Sequence, residues 1–204
     1  NRSGARAAIA ARYGIPDNTP LVVTLGGNQI GKGLQVLLAA WEKILSRLPE
    51  ARWLLAGPSN PWYARAIEPK LHAYRGSIIA TGPLAGEDVF HHLAAADLHI
   101  NPSLCEGLNM VTVEAAAVGT PTIGSDRAGI AHWIASRGTG QVVRAREVDE
   151  LADAIIQALA NPELRARWRT ACLELAPEFA VEKLARTLVS HLASLMPNVQ
   201  TPNA

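Results

Sequence analysis

With 204 residues, 49% of them apolar, the chain has material for a well-buried core in one large domain or two small ones. Lys and Arg number 19 against 18 Asp and Glu, a net charge of +1 that removes the electrostatic case for nucleic acid as the main partner. Two cysteines without metal-ligand spacing, Cys105 and Cys172, argue against a disulfide framework or zinc site and fit a reducing compartment. With no apolar run near the roughly 18 residues that cross a bilayer and no charged leader, the expected location is cytoplasmic.

In chain order, residues 1–19 read as a linker helix entering a domain, 20–196 as the domain and 197–204 as a frayed tail. Strand-length apolar runs, mostly ended by Gly, Pro or Ser, fall at 20–26, 51–57, 76–82, 97–103, 121–125 and 140–144. The first leads into "LGGNQIGKGLQVLL", where Gly26, Gly31 and Lys32 match the phosphate-binding pattern G-x-x-x-x-G-K-[ST] until Gly33 stands in place of the magnesium-binding hydroxyl. Leu34, Leu37, Leu38, Trp41, Leu45 and Leu48 then recur at helical spacing. Helical patterns also fill the later gaps, and His91 and His92, on one of these, lack ligand-type partners and are expected at the surface or as caps.

After the last strand come three consecutive helical stretches, broken at Asn161-Pro162 and at Pro177. Strand and helix in alternation predict an α/β fold: a Rossmann-like parallel six-stranded sheet with helices on both faces, closed by the C-terminal helices. Ligands of such sheets bind at the carboxyl ends of the strands, so chemistry is expected just after them. The tryptophans at 41, 53, 62, 133 and 168 are spaced mostly as packing residues.

The stretch 101–130, "NPSLCEGLNMVTVEAAAVGTPTIGSDRAGI", supplies that chemistry. Glu106 and Gly107 lie in a turn, and Asn109 is placed to cap a helix carrying Glu114. The amides of Leu108, Asn109 and Met110 at that helix N-terminus suit a phosphate, and Glu114, one turn in, leans back toward it. Two carboxylates beside an anion site need separate donors, and a nucleotide sugar offers ribose hydroxyls, sugar hydroxyls and a diphosphate between them. Cys105 reads as a small, partly buried thiol without an activating histidine.

The Glu106/Glu114 spacing within this stretch, together with Lys32-Gly33, "TGPL" at 81–84 and "LAAADLHINPS", resembles the C-terminal donor-binding domain of GT-B glycosyltransferases, specifically glycosyltransferase family 4. The resemblance spans nearly the whole chain. It implies one half of a GT-B fold and retaining transfer from a nucleotide diphosphate sugar to a hydroxyl acceptor, with Glu106 and Lys32 as the catalytic pair. It further implies that Lys32 contacts the diphosphate in the loop of Gly26 and Gly27, that the backbone of Gly107 to Met110 cradles it, that Glu114 holds the ribose, that Glu106 binds the transferred sugar and that Leu84 touches the base. No metal and no cofactor are implied. The partner would be an N-terminal acceptor-binding domain, through which any peripheral membrane contact would run.

Two departures from the family pattern stand out. Gly27 occupies the place of an Arg, and Arg127 is the candidate to replace that phosphate contact. Asn109 stands where Gly is common, and His132 where the family often has an acid. A non-catalytic nucleotide-binding or regulatory module of the same fold is the alternative function. Solvated surface roles for Lys32, Glu106 and Glu114 are the structural alternative.

Overall fold

The computed structural model describes residues 1–27 and 29–195, the side chains of Trp62 and Tyr63 excepted. The tail expected at 197–204 and the packing role expected for Trp62 fall outside that description. Strands β1 (Leu21–Leu25), β2 (Arg52–Ala56), β3 (Ile78–Gly82), β4 (Leu98–Asn101), β5 (Thr122–Ser125) and β6 (Gly140–Val143) form one parallel sheet in the order β3-β2-β1-β4-β5-β6. The order reverses between β1 and β4, so the helices that follow these two strands go to opposite faces of the sheet, the position where the ligand crevice of such sheets lies.

Side chains alternate across the strands and divide the core in two. On one face Val22, Trp53, Leu55, Ile100 and Ile123 pack under α2 (Leu34–Arg47), α3 (Pro61–Ala73) and α7 (Val148–Ala160). On the other, Leu21, Val23 and Leu54 meet α1 (Arg2–Tyr13), α4 (Glu87–Ala95) and α5 (Met110–Ala117) through Ile9, Leu93 and Ala115. Both buried tryptophans of the first face have satisfied indole N–H groups: Trp41 donates to Ser77 Oγ at 3.1 Å and Trp53 to Thr24 Oγ1 at 2.9 Å. A smaller cluster joins α5 to α6 (Ala131–Arg137) through Val113, Ile130 and Ile134.

Helix α1, the helical part of residues 1–19, packs along α4, and Arg2 and Arg6 both reach Asp97 at the start of β4. That packing corrects the expectation for His92. It is fully buried, with Nε2 2.9 Å from the Tyr13 hydroxyl of α1 and Nδ1 2.6 Å from the Asp88 carbonyl, and burial lowers its pKa. Its neighbour His91 is exposed, one step round the helix.

Helix α8 (Pro162–Leu175) starts where the sequence placed a break: Asn161 accepts from the Leu164 amide and Pro162 takes the first turn, where no N–H is needed. It closes the domain with buried Cys172 and Leu175. The last described helix, α9 (Val181–Leu195), buries none of its side chains and leaves Leu184, Leu188 and Leu192 exposed. Closure by C-terminal helices therefore rests on α7 and α8.

Candidate functional site

The loop after β1 is built almost without side chains. Gly26, Gly27 and Gly33 have φ of 115°, 72° and 68°, and a short 3-10 turn, Ile30–Lys32, carries the lysine. A Cβ on Gly33 would stand 1.8 Å from the Pro102 carbonyl oxygen, so the loop after β1 lies directly on the loop after β4. The Leu104 amide fixes that contact by donating to Gly31 O at 2.8 Å. A Cβ on Gly27 would stand 2.0 Å from the Pro58 carbonyl. The cation expected there by family pattern thus has no room in this backbone.

The loop after β4 brings in the carboxylate. Lys32 Nζ lies 2.6 Å from Glu106 Oε2, joining residues 74 apart in sequence, with the two side chains 25% and 20% exposed. Ser103 Oγ is 3.1 Å from the same oxygen. The Glu106 turn is stitched to the loop after β5: its amide donates to Arg127 O at 3.2 Å, and the Gly129 amide donates to Gly107 O at 2.8 Å. Asn109 then caps α5 by accepting from the Thr112 amide at 3.0 Å. Its φ of 58° is left-handed, a conformation that glycine adopts freely and asparagine tolerates better than most residues, which accounts for the exchange with Gly in the family pattern. The amides of Leu108 and Asn109 donate to no carbonyl among the described residues.

Two cavities flank this centre. One of 230 Å³ is lined by Gly26, Gly57, Leu84, Val111 and Glu114, which brings together the residues assigned to base and ribose by resemblance. The other, of 650 Å³, holds Cys105, Glu106, Asp126, Arg127 and Arg146. Glu106 and Glu114 therefore open to different spaces. Arg127 lines the larger cavity, 69% exposed and 3.9 Å from Asp126, whereas Gly27 lines neither. Cys105 is exposed rather than partly buried, because the Glu106 turn carries it to the mouth of this cavity. Among the described residues no group of three His, Cys, Asp or Glu side chains is placed to hold a metal ion.

Beneath the lysine, His99 of β4 is buried with Nδ1 3.1 Å from Thr122 Oγ1. Burial, with the charge of Lys32 adding to it, pushes its pKa down to about 3, so it stays neutral under the ammonium group. Sequence reasoning assigned no role to Asn101 or Ser103, although "NPS" lay in the quoted motif. Nor did it single out Arg146, which has a φ of 70° and lines the larger cavity.

Residues 19–161 match the family described as Glycosyl transferases group 1. The chain is 29% identical over 164 residues to the alpha-D-kanosaminyltransferase of Streptomyces kanamyceticus, covering 79% of this chain and 42% of the relative. It is 30% identical over 164 residues to the GDP-mannose-dependent alpha-(1-6)-phosphatidylinositol monomannoside mannosyltransferase of Mycobacterium tuberculosis, covering 76% and 42%. It thus spans less than half the length of these curated relatives. Among solved structures, Anabaena HepE in complex with UDP superposes with a TM-score of 0.84 at 19% identity, covering 94% of this chain and 53% of that one. The sucrose-phosphate synthase of Thermosynechococcus elongatus gives 0.82 at 26% identity, covering 95% and 49%. A family match over most of the chain, on a six-stranded sheet with a lysine loop and two separated acids at its carboxyl edge, means that this chain belongs to the group 1 glycosyltransferases.

Proposed function

We propose that the chain is the donor-binding half of a retaining glycosyltransferase that moves a sugar from a nucleotide diphosphate sugar to a hydroxyl acceptor. The observation that carries this reading is the Lys32–Glu106 pair at the crevice between β1 and β4, 2.6 Å apart and flanked by the cavity that holds Glu114. A diphosphate seated over Lys32 and the free amides before α5 would meet a cation and a helix N-terminus without a metal. On transfer, the bond from the anomeric carbon to the diphosphate oxygen breaks, the oxygen keeps the electron pair, and the acceptor hydroxyl oxygen takes its place on that carbon and gives up its proton to the departing diphosphate. Lys32 and the α5 amides are aimed at the charge that grows on the leaving diphosphate. Glu114 holds the ribose and Glu106 the transferred sugar.

Glutamine substitutions separate the two acids. With UDP and UDP-glucose, and with GDP and GDP-mannose, Glu114→Gln is expected to weaken both members of a pair by roughly 10-fold or more, the scale of a hydrogen bond to a charged group. Glu106→Gln is expected to weaken only the sugar-bearing member, and to leave the bare diphosphate unchanged or tighter, since Lys32 loses its competing partner. Calorimetry measures all four affinities. Equal losses of bare diphosphate in both variants would contradict the division of roles.

A binding module without transfer is the second reading. The absence of any side chain at Gly27, where the backbone leaves no room for a second cation, favours it.

A further inference from the structure

Beneath the lysine loop one polar group has no partner. Asn101, the last residue of β4, is 3% exposed, and its Nδ2 is buried without a hydrogen-bond partner among the described residues. Its Oδ1 lies 2.7 Å from Ser103 Oγ, and the same Ser103 Oγ lies 3.1 Å from Glu106 Oε2. A hydroxyl carries one proton. If that proton goes to Asn101, the serine and carboxylate oxygens face each other without one, and the amide donor is left stranded at a cost of about 1–3 kcal/mol. Exchanging the two amide ends, which differ little in size, removes both faults. Nδ2 then donates to Ser103, the Ser103 hydroxyl donates to Glu106, and Lys32 donates to the same carboxylate from the other side. The amide oxygen then needs a donor of its own, and Asn101 lines a cavity of about 10 Å³ together with Thr24, Gly27, Lys32 and Leu34. That volume fits one water.

We propose that Asn101 and Ser103 are positioning residues for Glu106, forming a relay Asn101 → Ser103 → Glu106 that holds the carboxylate in place over a single buried water. The other charged groups on the Glu106 side are Lys32 and, across the larger cavity, Asp126, Arg127 and Arg146. Those three stand on the loops after β5 and β6, whereas the relay reaches the carboxylate from the end of β4. The proposal rests on the reading of Glu106 as the sugar-binding group only for its effect on ligands. The relay itself is a statement about the free protein.

Two measurements on the 204-residue chain test it. In the ligand-free protein, nuclear Overhauser contacts from the Asn101 side-chain NH₂, identified by its loss in Asn101→Leu, are expected to reach the Ser103 β-protons. Contacts to Thr24 and Leu34 alone would place Nδ2 in the small cavity and overturn the relay whatever Glu106 does. With ligands, Asn101→Leu and Ser103→Ala are each expected to weaken the nucleotide sugar about 3- to 10-fold and leave the bare diphosphate unchanged, while Asn101→Leu, which removes the donor to Ser103, lowers the melting temperature. A stranded amide outside any relay would instead show a stability gain on Asn101→Leu without the sugar-selective loss, and that result would also overturn the proposal. Should Glu106→Gln itself prove indifferent to the sugar, the role of Glu106 falls while the Overhauser result still decides the relay.

Discussion

Gly33→Ser, the single change that completes G-x-x-x-x-G-K-S, is expected to unfold the loop rather than create a magnesium site. Two backbone effects add. Gly33 has φ 68°, where an L side chain is strained, and its Cβ would fall 1.8 Å from the Pro102 oxygen and 2.7 Å from the Pro102 carbon. Neither atom belongs to a flexible side chain that can step aside, and Leu104 N donating to Gly31 O holds the two loops together. Overpacking against backbone together with the left-handed penalty amounts to about 2–5 kcal/mol, a large share of a typical domain's stability. Gly31→Ser is the control: a Cβ there meets nothing within 4 Å and needs no positive φ, so a change within about 1 kcal/mol is expected. Urea unfolding of the two variants checks this. A stable Gly33→Ser protein whose nucleotide binding had become magnesium-dependent would show that the loop is a P-loop lacking one hydroxyl.

The second large effect concerns turnover. The chain spans 42–46% of the length of eight curated relatives, and its site lies on one open edge of one sheet. Transfer requires an acceptor hydroxyl held against the anomeric carbon and water kept out, contributions that together reach roughly 7–11 kcal/mol from positioning alone. On the function proposed above, the groups at the crevice between β1 and β4 serve the donor, and the acceptor side falls to a second domain. The isolated chain is therefore expected to bind nucleotide weakly, in the micromolar to millimolar range, with no measurable transfer, and a version joined to the acceptor half of a group 1 relative is expected to transfer sugar. Product detection by mass spectrometry compares them. Robust transfer by the isolated chain would mean that one domain holds a complete site.

How much of this could be read from the sequence depends on how local each feature is. The strands lie within two residues of the apolar runs that foretold them, because a buried parallel strand must be short, apolar and ended by a turn-forming residue. The Asn109 cap was legible for the same reason, since strand end, turn and helix start are contiguous. The strand order was not spelled out, and neither was the contact between Lys32 and Glu106 across 74 residues. The glycines of the lysine loop read from sequence as residues for a tight turn and close packing, without the partner against which they pack. Their stricter role depends on the carbonyls of Pro58 and Pro102, which other strands deliver. His92 went wrong because the covering helix lies some 80 positions earlier, and Cys105 because a turn can point a thiol either way. Helix α9 has the pattern of a packed helix, yet nothing described in this chain covers it.

The central claim, a metal-independent diphosphate site centred on Lys32, is tested most directly by calorimetric titration of UDP and GDP into the wild-type chain and Lys32→Ala, each with magnesium and with a chelator. Removing the ammonium group takes away a charge-assisted contact and leaves Glu106 to repel the incoming phosphates. The account predicts a loss of roughly 1.5–3 kcal/mol for whichever diphosphate binds, about 10- to 150-fold, the same with and without magnesium. Binding that requires magnesium and survives the loss of Lys32 would contradict it.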